Sequence, residues 1–242
     1  MNWSDEGIVL SAKKHGEHAL IISLLTRENG RHIGLVRGGA SHKQRGIFQT
    51  GNLVSAQWKG RLSEHLGTYI CELKYSYVAQ LMDQPMHLLA LTSATALLEM
   101  FLPEREPCYE VFESFSELIK ILEKDHSWRE KYVLWEKDLL SYLGYGLDLS
   151  KCAVTGSTEN LFYISPRTGR AVSRAAGEPY LKKLFLLPSF FILNNQDIRR
   201  EDIVNGLSIT GHFLSACARD SDVGNLPFSR GYFLERLNRT SG

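Results

Sequence analysis

The chain has little of what several whole classes of protein need. Its 242 residues hold four cysteines, Cys71, Cys108, Cys152 and Cys217, set far apart and without a CxxC pair. That spacing offers no four-cysteine zinc site and no disulfide framework. No apolar run approaches the roughly 18–20 residues that span a bilayer. The opening Met1-Asn2-Trp3-Ser4-Asp5-Glu6 lacks both the basic and the apolar stretch of a secretory signal. The expectation is a reduced, cytoplasmic protein with no membrane partner. The motifs GxxxxGK with Ser or Thr, GxGxxG, GxSxG and HExxH are all missing. His15 and His18 are close, but they lie in a predicted loop with no further ligands, and Glu99 has no evident partner carboxylate. No set of residues proposes a reaction, so neither an enzyme nor a cofactor is expected.

Charge of one sign is also scarce overall, the formal net charge being +1. Its distribution says more. Residues 1–80 carry ten Lys/Arg against six Asp/Glu, residues 81–150 six against thirteen, and residues 151–242 twelve against eight. A basic beginning and an acidic middle suggest a polyanion-binding end joined to a part with another task.

The beginning reads as five short strands. Gly7-Ile8-Val9-Leu10, Ala19–Leu25, Gly34-Leu35-Val36, Asn52–Trp58 and Thr68–Leu73 are β-like, and Asn29-Gly30 is the dipeptide a tight type I′ hairpin favours. Five strands in this length suit a small closed barrel, the five-stranded oligonucleotide-binding (OB) barrel above all. Beyond Tyr77 the apolar period becomes helical, through Met86–Leu102, Val111–Leu122 and Ser127–Leu143, with Gly144 and Gly146 as terminators. Residues 151–177 alternate turns with short β-like pieces, as a compact knuckle does. Helical character returns over Pro179–Leu187, Asp202–Ala218 and Tyr232–Leu237. The expected class is therefore α+β: a barrel over 1–79, a helical domain over 80–150 and 178–242, and a knuckle inserted at 151–177.

The barrel's loops are basic. The predicted loop between the first two strands contains Lys13 and Lys14, the long third connection Arg37, Lys43 and Arg45, and the loop between the last two strands Lys59 and Arg61. In an OB barrel the first and last of these loops flank the nucleic-acid face. Cations there would neutralise phosphates, a salt-sensitive and sequence-independent attraction. Trp58 and Phe48 are the aromatic residues that stacking on bases would use. Trp58 also alternates with polar neighbours, as a residue of the barrel interior does.

Glu6-Gly7-Ile8-Val9-Leu10, Gly16-Glu17, Leu24–Gly30 and Val36-Arg37-Gly38-Gly39 together resemble the RecO family of bacterial recombination mediators. The likeness continues through Gly60–Glu64, Leu139–Tyr145, Leu147–Ala153, Tyr163–Pro166 and Gly169–Ser173. It covers nearly the whole chain. It implies an OB barrel, a central helical domain and a small knuckle, with no nucleotide hydrolysis. It also implies binding of single- and double-stranded DNA, and annealing of complementary strands coated by single-strand-binding protein. The implied partners are RecR, the acidic C-terminal tail of single-strand-binding protein and, indirectly, the RecA recombinase, and a nucleoid-associated protein follows. The DNA-binding role falls on Lys13, Lys14, Arg37, Lys43, Arg45, Lys59 and Arg61. Tail binding falls on Arg129, Lys131, Lys137 and Trp135, where pairing on a solvated helix is the competing explanation. Some members hold the knuckle with four cysteines and zinc. Here Thr155 stands three residues after Cys152 and the later pair is replaced around Ala176–Pro179, so no metal is expected and Cys152 is a small core residue.

Two other functions fit the same residues. One is a protein adaptor whose barrel binds a protein, with incidental DNA contact. The other is an RNA-binding factor, which would need 2′-hydroxyl readout.

Overall fold

The computed structural model describes residues 1–125, 127–193 and 198–239. The chain divides into two compact units, Met1–Asp125 with Pro227–Phe233, and His126–Leu226 with Leu234–Gly242.

In the first unit β1 (Asn2–His15), β2 (Ala19–Thr26), β3 (Gly30–Val36), β4 (Leu53–Lys59) and β5 (Thr68–Tyr75) close into a barrel in the order β1-β2-β3-β5-β4. Neighbours are antiparallel except β3 and β5, which meet in parallel at Leu35 and Thr68. Alternation along each strand sends His32, Gly34, Val36, Val54, Ala56 and Trp58 inward, and Leu35, Gln57 and Lys59 outward. Val9, Ile22, Leu24 and Tyr69 complete the interior. Each fully buried Val, Leu or Ile contributes about 1.5–3 kcal/mol.

Two local readings change. β1 is far longer than its apolar stretch, because its first half pairs with β4 (Asn2 opposite Lys59) and its second half with β2 (His15 opposite Ala19). A register shift between Val9 and Ser11 lets it pass from one neighbour to the other. Lys13 and Lys14 are therefore strand residues, and the turn is confined to Gly16–His18. Asn29-Gly30 is not a two-residue type I′ turn either. Thr26 pairs with Gly30 across a three-residue loop, and of the dipeptide only Gly30 has positive φ, at 65°. The Asp5 carboxylate accepts bonds from the Glu28 backbone N–H and the Asn29 side-chain amide, while Thr26 Oγ1 accepts from the Asn29 N–H. Gly30 is also needed for space, since a Cβ there would lie 1.8 Å from the Glu106 carbonyl oxygen.

Short helices α1 (His42–Arg45) and α2 (Tyr77–Gln80) precede α3 (Pro85–Phe101) and α4 (Tyr109–Lys124). Buried Val111, Phe112, Phe115, Leu118, Ile119 and Leu122 form the expected three-and-four stripe of α4. α3 lies on β1, and Glu99 finds its partner there, accepting a 3.1 Å bond from the Ser11 hydroxyl.

The second unit contains α5 (Trp128–Tyr142), β6 (Leu161–Ile164), β7 (Ala171–Ser173), α6 (Arg174–Gly177), β8 (Phe185–Leu186) and α7 (Arg200–Asp220). The last helix, α8 (Phe228–Arg239), gives residues to both units. The strands form a small sheet in the order β7-β6-β8. Pro179–Leu187 is helical only in its first part: a 3-10 helix over Glu178–Lys183 is kinked at Tyr180 (φ −120°), and Phe185 and Leu186 then pair with Ile164 and Tyr163. Cys152 sits buried under this sheet with Tyr163 and Val172. Its sulfur accepts backbone N–H bonds from Thr155 and Ser173 and lies 3.4 Å from the Ser173 hydroxyl. Burial raises the thiol pKa, but bonds from Ser173 and Thr155 outweigh it and bring the value down to about 6. Among the described residues no three His, Cys, Asp or Glu side chains gather where a metal would bind.

α5 packs on α7, and the fully buried Glu136 accepts a bond from the Thr210 hydroxyl across them. Thr210→Val keeps the shape and removes that donor. Urea unfolding should show a loss of about 1–3 kcal/mol, the cost of one under-satisfied buried polar group. No change would mean that the pair contributes nothing to packing.

Candidate nucleic-acid interface

The seven cations of the barrel are set by strand register. An unbroken line of partners crosses the sheet: Lys13 opposite Ile21, Ile21 opposite Leu35, Leu35 opposite Thr68, and Thr68 opposite Lys59. Directly opposed residues share a face, and at about 4.8 Å per strand the line spans roughly 19 Å. It has exposed lysines at both ends and half-buried Ile21, Leu35 and Thr68 between them. Arg37 leaves the end of β3 beside this line. The turn that follows is tied to the β1–β2 turn by a bond from the Ala40 N–H to the His18 carbonyl, and α1 then carries Lys43 and Arg45. The β4–β5 loop carries Arg61 next to Lys59.

All seven are exposed, and none enters an ion pair among the described residues. The other three cations of residues 1–80 behave differently. Arg27 lies 3.0 Å from Glu113, Arg31 3.7 Å from Glu104, and Lys74 pairs with Glu6. Folding thus neutralises three cations and leaves seven with their full attraction for an anion.

Trp58 and Phe48 are buried in the barrel core, as the alternation of Trp58 with polar neighbours favours, and neither presents a ring for bases to stack on. Trp58 has another task. Its indole N–H donates to the Leu66 carbonyl at 3.1 Å, and a Cβ at Gly60 or Gly67 would come within 2.4 Å of its ring. The β4–β5 loop is folded against this ring, so a core residue positions Lys59 and Arg61. Trp3 stacks on Trp58, and His32 meets both rings edge-on, with its Nδ1 3.0 Å from the Tyr69 hydroxyl. Burial, helped by the charge of Arg105, pushes His32 down to about 4.

Arg105 went unnoticed in the sequence. Held at φ 64°, it donates to the His65 carbonyl in the β4–β5 loop from the segment after α3. Nothing near it in the chain signals a contact so distant in sequence.

In the second unit, Arg129 and Lys131 are exposed on α5, with Arg129 lying over the Trp128 ring. Trp135 is buried and Lys137 is paired with Asp138 at 2.8 Å. At about 100° per residue, Arg129 and Lys131 point to opposite sides of the helix, so the four residues do not converge on one spot.

A closed five-stranded barrel of this order, followed by a mostly helical region, makes the protein one of the OB-barrel class with a helical extension. Residues 1–77 match the N-terminal domain of recombination protein O and residues 83–218 its C-terminal domain. The chain belongs to the RecO family of DNA repair proteins. It is 45% identical to DNA repair protein RecO of Rhodospirillum centenum, covering 100% of this chain and 98% of the relative. Identity is 43% to that of Hyphomonas neptunium (98% of each chain) and 42% to that of Rhodospirillum rubrum (100% and 98%). No helix among the described residues is long and apolar enough to cross a membrane.

Proposed function

We propose that the barrel binds single- and double-stranded DNA and anneals complementary strands coated by single-strand-binding protein, and that the protein helps RecR load RecA on nucleoid DNA. The observation that carries this reading is the sorting of cations into three paired and seven unpaired, with Lys13 and Lys59 bracketing the half-buried row of Ile21, Leu35 and Thr68. Seven free positive charges screen the repulsion between two phosphate backbones, and base pairing then supplies the driving force. That mechanism needs positioning and charge and no covalent step. The acidic helical part would repel DNA, so contacts with RecR and with the tail of single-strand-binding protein are assigned there, with either exposed Arg129 or exposed Lys131, which lie on opposite sides of α5, as the cation that meets the acidic tail.

The test is fluorescence anisotropy of a labelled single-stranded oligonucleotide across a salt series. Binding should weaken steeply with salt, and Lys59→Ala with Arg61→Ala should lower the slope of log K against log salt by about 1.4, at about 0.7 per phosphate contact. An unaltered slope would remove the β4–β5 loop from the site. No binding at low salt would hand the barrel to a protein partner.

A further inference from the structure

Beside the β1–β2 turn the barrel unit has an open groove of about 590 Å³. Leu20, Phe48 and Leu91, all buried, form its apolar floor, and half-buried Leu88 of α3 stands at its side. Two of the seven unpaired cations, Lys14 and Arg45, stand at its rim, and no carboxylate lines it. The rim charges are placed by local structure: Lys14 is opposite Leu20 in the β1–β2 ladder, so both share a face, and Arg45 ends α1.

We propose that this groove receives one unstacked base of a bound single strand, with Lys14 and Arg45 on the flanking phosphates. The inference rests on the DNA-binding reading above and adds to it a reason for preferring single strands. The volume falls in the range that holds a small organic group, with apolar walls and few polar ones, as base-sized ligands require. Gln49 at the rim can donate to and accept from a base edge. Charge complementarity selects the occupant: an apolar slot with cations at its mouth and no acid fits a flat group carried on a phosphate chain. The connection after β3 that brings Arg45 to the groove also carries the free cations Arg37 and Lys43. A base in a duplex is already paired and stacked, and must leave the stack before it can enter.

Filling the slot tests this. Thr92 is exposed at the groove, and among the described residues its hydroxyl bonds only back to the Leu88 carbonyl of its own helix, so Thr92→Trp adds volume without removing a tertiary bond there. Leu88→Trp fills from the next turn and serves if the first variant fails to fold, as judged by circular dichroism and thermal melting. The ligands are an oligo-dT strand, an abasic strand of equal length and charge, and a duplex. The filled variants should bind oligo-dT about tenfold more weakly, in line with the loss of one base contact. Their affinity for the abasic strand and the duplex should not change. Equal loss on all three ligands, or loss on none, overturns the groove assignment while leaving salt-dependent DNA binding intact. An acidic peptide that binds the native protein and not Thr92→Trp, with oligo-dT binding untouched, would give the groove to a protein and also overturn it. Native protein that binds no ligand at any salt removes the DNA reading itself.

Discussion

Replacing Arg37, Lys43 and Arg45 together with alanine should weaken binding of a single-stranded oligonucleotide by about a hundredfold at 0.1 M salt. The figure follows from counterion release. Each phosphate contact on a single strand contributes about 0.7 to the salt slope, so three contacts contribute about 2, which is about two decades in affinity between 1 M and 0.1 M salt. The fold should survive, because all three side chains are exposed and unpaired, and the β3–β4 segment is anchored elsewhere. Asn52 donates to the Gly46 and Ile47 carbonyls, and Phe48 is buried in the barrel core. The measurement is the same anisotropy titration at four or more salt concentrations. A triple variant with the native slope would show that this segment faces away from the strand. A native slope with lower affinity at every salt would point to lost shape, not lost charge.

The second large effect is on stability below neutral pH. His32 is buried among Trp3, Trp58 and Tyr69, and its pKa falls from 6.5 to about 4. Burial in an apolar, aromatic site is the main cause and the nearby Arg105 cation the second. The unfolded chain takes up the proton near pH 6.5 while the native barrel refuses it until about pH 4. The contribution of this group is therefore fully present above about pH 6.5, is lost as pH falls between 6.5 and 4, and is flat below. Its size is about 3 kcal/mol. Urea unfolding of the native protein at pH 7.5, 6, 5 and 4 should show that decline. His32→Phe should lose about 1 kcal/mol at pH 7.5, having given up the Tyr69 hydroxyl's partner, but should keep more of its stability on acidification. Parallel pH profiles for the two proteins would exclude His32 as the source. The same ring packs on Trp58, which holds the β4–β5 loop, so acid should disorder Lys59 and Arg61 early.

These two predictions differ in how far the sequence alone leads to them. The three cations can be picked from the string of letters, because a Gly-rich connection with Arg37, Lys43 and Arg45 between two apolar alternations is a local pattern. The burial of His32 cannot. Its strand reads as Gly-Arg-His-Ile-Gly-Leu-Val, where alternation says only that His32, Gly34 and Val36 share a face. That this face is the interior, and that Trp3 and Tyr69 arrive there from two other strands, follows from barrel closure.

Period and punctuation belong to neighbouring residues, and they were enough for five strands, for α3, α4, α5 and α7, and for a barrel followed by a mostly helical region. They failed at Asn29-Gly30, where Asp5 captures the loop from another strand, and at the end of Pro179–Leu187, where a sheet edge takes Phe185 and Leu186. At Trp58 alternation pointed to the core, where the ring sits, but not to its hold on the β4–β5 loop. The candidate site shows the same division. Composition names ten Lys and Arg in the first 80 residues, but not which of them are free. Glu113 and Glu104, which neutralise Arg27 and Arg31, lie on the helical side of the sequence, and Glu6 reaches Lys74 only because β4 brings β1 and β5 to its two sides. Charge is carried by single residues and is legible one letter at a time. Its neutralisation depends on which carboxylate folding brings within about 4 Å, and no local period encodes that distance.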